Sequence, residues 1–419
     1  MRSDPSHTVT RRRVFYIPGY DPIHPRRYRE LYRTECAAQA AVSGYEIGLK
    51  PRPGERYGWQ VDAVMDGHGV HSDIEVLVWS DIVRDSMSNS IPATYAQLAR
   101  TAWIYTSTGA LWRLMRLRKG PVIAALYPVG MLLLQLGLAV ALAFVISAAF
   151  AGGWEAVLPV QGTSAPFFPY YRYIGMAFGA AAGIWLLRWF KARDGKLFAY
   201  YLMHDYAYSA ATRGANSPAL EARMAQFGDA IAEALTDDVQ EVLVVGHSSG
   251  AHLAVSVLAD LIRAGRVPAD GPALGFLSLG QVVPMVSFLP EAHRLRADLH
   301  HLSASDELTW IDVTAPGDGC AFALCDPVAV SGVAPANKRW PLVLSAAFTQ
   351  TLSPARWKAL RWRFFRLHFQ YLCAFDVPGD YDYFRITAGP LTLAARYAGR
   401  APSKSRIDRA VSKYTSVAA

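Results

Sequence analysis

Between Lys119 and Glu155 the sequence carries no charged residue, and from Val122 to Phe150 it is almost wholly apolar. A hydrocarbon core of about 30 Å takes roughly 20 helical residues to cross, so this run can span a bilayer even when tilted. A helix buried in a globular core rarely runs so far without one charge. The composition agrees: 52% of residues are hydrophobic and only 18% charged, more apolar than an ordinary soluble chain.

A second apolar run, Tyr173 to Leu187, is bounded by Arg172 and Arg188. Its roughly 15 residues reach about 22 Å as a helix, short of a full span. Both arginines can stretch toward head groups, and Tyr170, Tyr171, Trp189 and Phe190 suit the interfaces. Gly175, Gly179 and Gly183 recur every four residues, which makes a smooth face for packing against another helix. Basic residues crowd the outer flanks, with Arg113, Arg116, Arg118 and Lys119 before the first run and Arg188, Lys191, Arg193 and Lys196 at the end of the second. Only Arg172 lies in the connection. The positive-inside rule then puts both flanks in the cytoplasm, and a bacterial inner membrane is the expected setting.

The net charge of +8 is thus placed beside apolar segments, where anionic head groups explain it better than nucleic acid does. There is no Walker loop and no dinucleotide fingerprint. Four cysteines, Cys36, Cys320, Cys325 and Cys373, form no CxxC pair and are expected to be reduced thiols. The first residues lack the apolar run of a secretory signal, so no export from that end is expected.

Outside the apolar runs the pattern alternates strand and helix. Arg13–Pro18, Trp59–Val64, Ile74–Trp79, Glu241–Val245, Leu274–Leu279 and Leu308–Val313 read as strands. Arg26–Ala41 and Ser217–Leu235 read as helices, the latter with Leu220, Met224, Phe227, Ile231 and Leu235 on one face. This rhythm predicts an α/β fold with a mostly parallel sheet covered by helices on both faces.

Directly after the strand Glu241–Val245 come Gly246-His247-Ser248-Ser249-Gly250, and then a helix of small residues. A tight strand-to-helix turn holds a serine in an unfavourable backbone conformation and presses the flanking backbone together. Glycine at 246 and 250 relieves that crowding. The helix N-terminus can then offer N–H groups to a developing oxyanion.

Through this elbow, its strand and the strand-glycine loop at 13–22, the chain resembles the α/β-hydrolase superfamily over about 1–110 and 200–400. The resemblance implies a Ser–acid–His triad in that chain order, with Ser248 as nucleophile. Of eleven histidines only His368 follows the region where the acid should fall, so it becomes the expected base. It lies in Arg356–Leu372, which reads as a basic, aromatic helix and equally suits an interfacial helix on anionic lipid. For the acid, Asp318 sits between two glycines just past a strand, with Asp326 and Asp312 as competitors. The second oxyanion donor is expected from Gly19 or Tyr20, paired with the N–H of Ser249.

Both halves of one sheet must lie on the same side of the membrane, which requires an even number of crossings and hence a hairpin anchor. The expected organisation is 1–119 and 191–400 as two parts of a hydrolase domain, 120–190 as a transmembrane hairpin, and 401–419 as a polar tail. His68 and His71, on a glycine-rich connector between strands, fix no ligand geometry, and His252 is expected to face solvent or packing. No metal or cofactor is expected. The reading is a membrane-anchored serine hydrolase cleaving an acyl ester, with lipid esters as the natural substrate guess. The alternatives are a non-catalytic membrane protein that uses the domain for binding or scaffolding, and a transporter, for which two spans make too small a bundle.

Overall fold

Among the described residues eight strands form one sheet in the order β2-β3-β4-β1-β5-β6-β7-β8. They are β1 (Arg11–Ile17), β2 (Glu46–Pro51), β3 (Gly58–Met65), β4 (His68–Val76), β5 (Glu241–His247), β6 (Ala273–Leu279), β7 (Leu308–Thr314) and β8 (Leu342–Ser345). β1 and β4 to β8 run parallel, while β3 is antiparallel to both β2 and β4. The computed structural model describes residues 8–54, 56–87, 90–157 and 170–418. The class is α/β with a mixed, mostly parallel sheet.

Every residue of β5 is buried, as expected for a strand covered on both faces. The helix Gly250–Arg263 that follows is buried along nearly its whole length and packs on β5 and on the helices Pro218–Ala234 and His293–Ala304. Its small side chains allow that close approach. Ser217 caps Pro218–Ala234 by accepting the Leu220 N–H at 3.2 Å, with proline at the first helical position. Leu220, Met224, Phe227 and Ile231 face the core as their spacing requires.

The central strands are tied by a buried ion pair. Arg12 Nε donates to Glu241 Oε2 at 2.6 Å, and its remaining N–H groups reach Gly389 O and Leu391 O. Both side chains are essentially excluded from solvent. Removing either partner would strand the other charge, at a cost of about 3–5 kcal/mol.

Asp66-Gly67 is a two-residue turn joining β3 to β4, with φ of 53° and 80°. Positive φ at both central positions is the Asp-Gly hairpin signature. The supposed connector is therefore mostly strand, with His68 and His71 on β4. β4 ends at Val76, short of the expected Trp79, because Trp79 turns out of the sheet and donates its indole N–H to Pro18 O at 2.9 Å.

The described residues within 8–86, 103–124 and 209–418 form one compact unit, and the described residues within 87–102 and 125–208 form another. Among the described residues two helices are long and apolar enough to cross a membrane, over Lys119–Gly153 with mean hydropathy 2.5 and Arg172–Ala192 with mean hydropathy 1.2. The second runs for 23 residues, Tyr170–Ala192, because it continues through Arg188; at 1.5 Å per residue that is about 34 Å. The two helices pack through the glycine face. A Cβ on Gly179 would lie 2.2 Å from Ala143 O, and one on Gly183 would lie 2.9 Å from Ala139 O. Leu134, Val140, Phe144, Met176 and Ile184 point outward and exposed.

The stretch expected as one helix from Arg356 to Leu372 is three pieces, Pro354–Leu360, Phe364–His368 and the 3-10 turn Gln370–Leu372. The C-terminal stretch from 401 does not hang free. Ser403 N–H bonds Val343 O, Ile407 bridges Leu324 and Asp326, and Ser416 O accepts from Arg296.

Candidate functional site

β1 and β5 are neighbours in register, Ile17 against Gly246, so the loops leaving their carboxyl ends emerge side by side. The chain proceeds from β1 to one side of the sheet and from β4, across β1, to the other. Carboxyl ends bordering such a reversal form the usual ligand crevice of an open α/β sheet.

Ser248 occupies the step from β5 into the helix Gly250–Arg263, with φ of 56°. A non-glycine residue in that left-handed region is held there only when its surroundings dictate it. Its N–H donates to Leu279 O at 2.9 Å. The flanking glycines are obligatory on steric grounds. A Cβ on Gly246 would lie 2.7 Å from Ala251 Cα, and one on Gly250 would lie 2.1 Å from Ile17 O. Gly19 sits against the serine itself: a Cβ there would be 3.0 Å from Ser248 Cβ and 3.4 Å from its Oγ. Ser249 is the N-cap of the helix that follows. Tyr20 is buried, and its hydroxyl meets Ser86 Oγ at 2.7 Å.

The turn after β7 carries the acid. Asp318 N–H closes it on Ala315 O at 2.9 Å, and the carboxylate is buried. Side chains on either side of Asp318 would collide with the aromatic cover, since a Cβ on Gly317 would lie 2.6 Å from Trp357 and one on Gly319 3.0 Å from Phe364. Asp318 Oδ2 meets His368 Nδ1 at 2.7 Å and accepts the Tyr371 hydroxyl at 3.0 Å; Oδ1 accepts the Cys320 N–H at 2.9 Å. Burial alone would raise the Asp318 pKa. The charge and hydrogen bond of His368, with the Cys320 N–H and Tyr371 hydroxyl, outweigh burial and hold it below the ordinary carboxylate value. Burial, with the neighbouring Asp318 charge, pushes the Tyr371 phenol well up, so it stays a neutral donor.

His368 ends the short helix Phe364–His368. Its Nε2 is buried and has no hydrogen-bond partner among the described residues, Ser248 Oγ included. The ring is bracketed by Gly280 and His247. Gly280, in left-handed conformation, would place a Cβ 3.0 Å from His368 Cε1. His247 donates Nε2–H to His368 O at 3.0 Å, with ring centroids 4.9 Å apart. Burial, and then repulsion from His368, drop its pKa to about 3, so it remains neutral while it braces the backbone of its neighbour. Ser248 and His368 are therefore linked at both ends, through His247 and through the Leu279–Gly280 step.

No family model, curated protein or solved structure matches this chain.

The competing acids do other work. Asp326 caps Pro327–Val330 through the N–H groups of Val328 and Ala329, and pairs with Lys338 Nζ at 2.6 Å. Asp312 lies within β7, where it accepts the Ser278 hydroxyl at 2.6 Å; burial pushes its pKa up to about 8. His71 Nδ1 pairs with Asp62 at 2.7 Å on the hairpin far along the sheet. His252 is buried in its helix, and burial lowers its pKa to about 4. Asp318, Cys320 and His368 bring three potential ligand atoms within 4.8 Å of one another, but both carboxylate oxygens already accept hydrogen bonds. Tyr371 and Gly280 escaped the sequence reading. Tyr371 stands three residues after His368, a spacing that brings two side chains onto one side of a helical turn, yet nothing in the sequence tied it to Asp318.

Proposed function

We propose that the chain is a membrane-anchored serine hydrolase of the α/β-hydrolase type that cleaves acyl esters. One observation carries this: a serine in left-handed conformation at a strand-to-helix turn, linked through His247 and the Leu279–Gly280 step to a buried histidine whose Nδ1 is held by a buried aspartate. The left-handed Ser248 and the buried His368 Nε2, left open as an acceptor among the described residues, are the two features a serine–histidine pair needs before substrate arrives. The mostly parallel sheet, with the elbow after β5 and the acid after β7, supports the fold assignment.

In the proposed reaction Ser248 Oγ attacks the ester carbonyl while His368 Nε2 takes its proton. Asp318 accepts the Nδ1–H, fixes that tautomer and stabilises the imidazolium. The Ser249 N–H and a backbone N–H of the Gly19–Tyr20 loop hold the tetrahedral oxyanion. As the intermediate collapses, His368 returns its proton to the departing alcohol and leaves an acyl-serine. Water, deprotonated by His368, then attacks the acyl carbon, and Ser248 Oγ leaves with that proton as the carboxylic acid is released. No cofactor takes part in this scheme. Apo enzymes often close the serine–imidazole hydrogen bond only when substrate binds, and the free Nε2 fits that behaviour.

The two apolar helices support an anchoring hairpin, and the basic flanks support a catalytic unit on the cytoplasmic side. Ester turnover by purified full-length protein tests the chemistry. His368→Ala should lower it by roughly 10³-fold or more. A loss of less than about tenfold would remove His368 from the mechanism.

A further inference from the structure

The segment from Lys358 to Arg366 carries charge that the protein leaves unanswered. Arg356, just before it, pairs with Asp376 at 3.0 Å. Lys358, Arg361, Arg363 and Arg366 have no acidic partner among the described residues, and no Asp or Glu occurs between Arg356 and His368. Between these cations Trp362 faces outward, and Phe364 covers Gly319 with one edge of its ring while leaving the rest exposed. Trp362 is 73% exposed and Phe364 43% exposed, with ring centroids 6.4 Å apart. An apolar ring pair set among free cations is poorly suited to water but well suited to the boundary of an anionic bilayer.

The position of this segment supplies the second observation. Phe364 packs on Gly319, next to the acid Asp318. Gly120, the second residue of the long apolar helix, lies against the same glycine: a Cβ on it would be 3.6 Å from Gly319 Cα. The exposed segment and the root of the apolar helix therefore meet at the turn that carries the acid. The short helix Ala110–Leu117, which leads into that root, repeats the chemistry with exposed Trp112 and Arg116, and exposed Lys119 opens the long helix itself.

We infer that Arg361–Arg366 seats in the anionic head-group layer beside the root of the apolar helix, and that acyl lipids of that leaflet are the substrates. The docking surface stands on the charge and aromatic pattern with the hairpin reading. The substrate class rests on the hydrolase reading proposed above. Each lysine or arginine close to an anionic surface strengthens partitioning by roughly fivefold, so reversing two of them has a readable effect.

Two measurements on the full chain in nanodiscs of phosphatidylcholine, with and without phosphatidylglycerol, test this. A photo-crosslinking phenyl ketone residue at position 362 should form lipid adducts, more with phosphatidylglycerol. The same residue at Val64, exposed at the opposite end of the sheet, should form few. Equal yields at both positions, or none at 362, overturn the docking surface whatever the enzyme does. Separately, R361E/R363E should lose about tenfold or more in turnover of a bilayer-embedded ester in the anionic discs and retain turnover of a short soluble ester. Equal loss on both esters, or no loss on the embedded one, overturns the lipid-substrate inference. A wild type that hydrolyses neither ester defeats the catalytic reading, and the crosslinking result still decides the docking surface.

Discussion

Gly250→Ala adds one methyl carbon where the backbone leaves no room. The new Cβ would lie 2.1 Å from Ile17 O and 2.7 Å from Pro18 O. Unstrained carbon contacts sit near 3.5 Å, so the overlap exceeds roughly 1 Å. The obstacle cannot rotate away, because Ile17 ends β1, a central strand paired on both sides. Overpacking of this kind costs about 1–3 kcal/mol, and a rigid backbone obstacle puts this substitution at the upper end, about 3 kcal/mol. Gly44→Ala is the matched control. Gly44 also has a constrained backbone, φ 72° at a helix C-cap, but nothing lies within 4 Å of its would-be Cβ. Only the left-handed penalty of about 1–2 kcal/mol remains. Thermal unfolding of the purified full chain, followed by circular dichroism at one scan rate, compares the two. Gly250→Ala should lower the Tm about twice as far as Gly44→Ala, with a similar loss in active-site labelling. If Gly44→Ala proves as damaging as Gly250→Ala, the steric account of the elbow is wrong.

Two further expectations concern the sheet interior and the hairpin. Asp312 has its folded pKa raised to about 8 by burial, against about 3.9 unfolded, so its contribution is fully present below pH ~4 and is lost as pH rises through about 8. Wild type should therefore lose stability between those limits more steeply than Asp312→Asn, and identical pH profiles of Tm would refute the assignment. With two crossings, a protease site placed in the 158–169 connection, which lies outside the described residues, should be cut in spheroplasts from the side opposite the catalytic unit. Cleavage only from the cytoplasmic side would contradict the hairpin.

The most legible parts of the sequence were those where chemistry leaves a single local solution. The elbow glycines were readable because a Cβ at 246 or 250 collides with backbone, and the Gly-Asp-Gly turn because both glycines sit under aromatic rings. The glycine face at 175, 179 and 183 was readable for the same reason. The edge strands were not. β8, Leu-Val-Leu-Ser, is apolar but too short at four residues to show a period, and β2, Glu46–Pro51, has no buried residue and so carries no hydrophobic signal. The basic stretch around His368 looked like one helix because its composition favours helix throughout. The break at 361–363 follows from tertiary packing, as Phe364 turns in to cover Gly319 and His368 closes on Asp318. The C-terminal stretch read as a polar tail because its bonds to the domain are mostly backbone, which composition does not reveal.

The central claim is that the strained Ser248 hydroxyl is a nucleophile. A fluorophosphonate probe applied to the purified full chain, with the adduct located by peptide mass spectrometry, tests it most directly. The account predicts a single phosphonylated peptide bearing the modification on Ser248, and none in Ser248→Ala. Modification elsewhere, or equal labelling of the alanine variant, would contradict it.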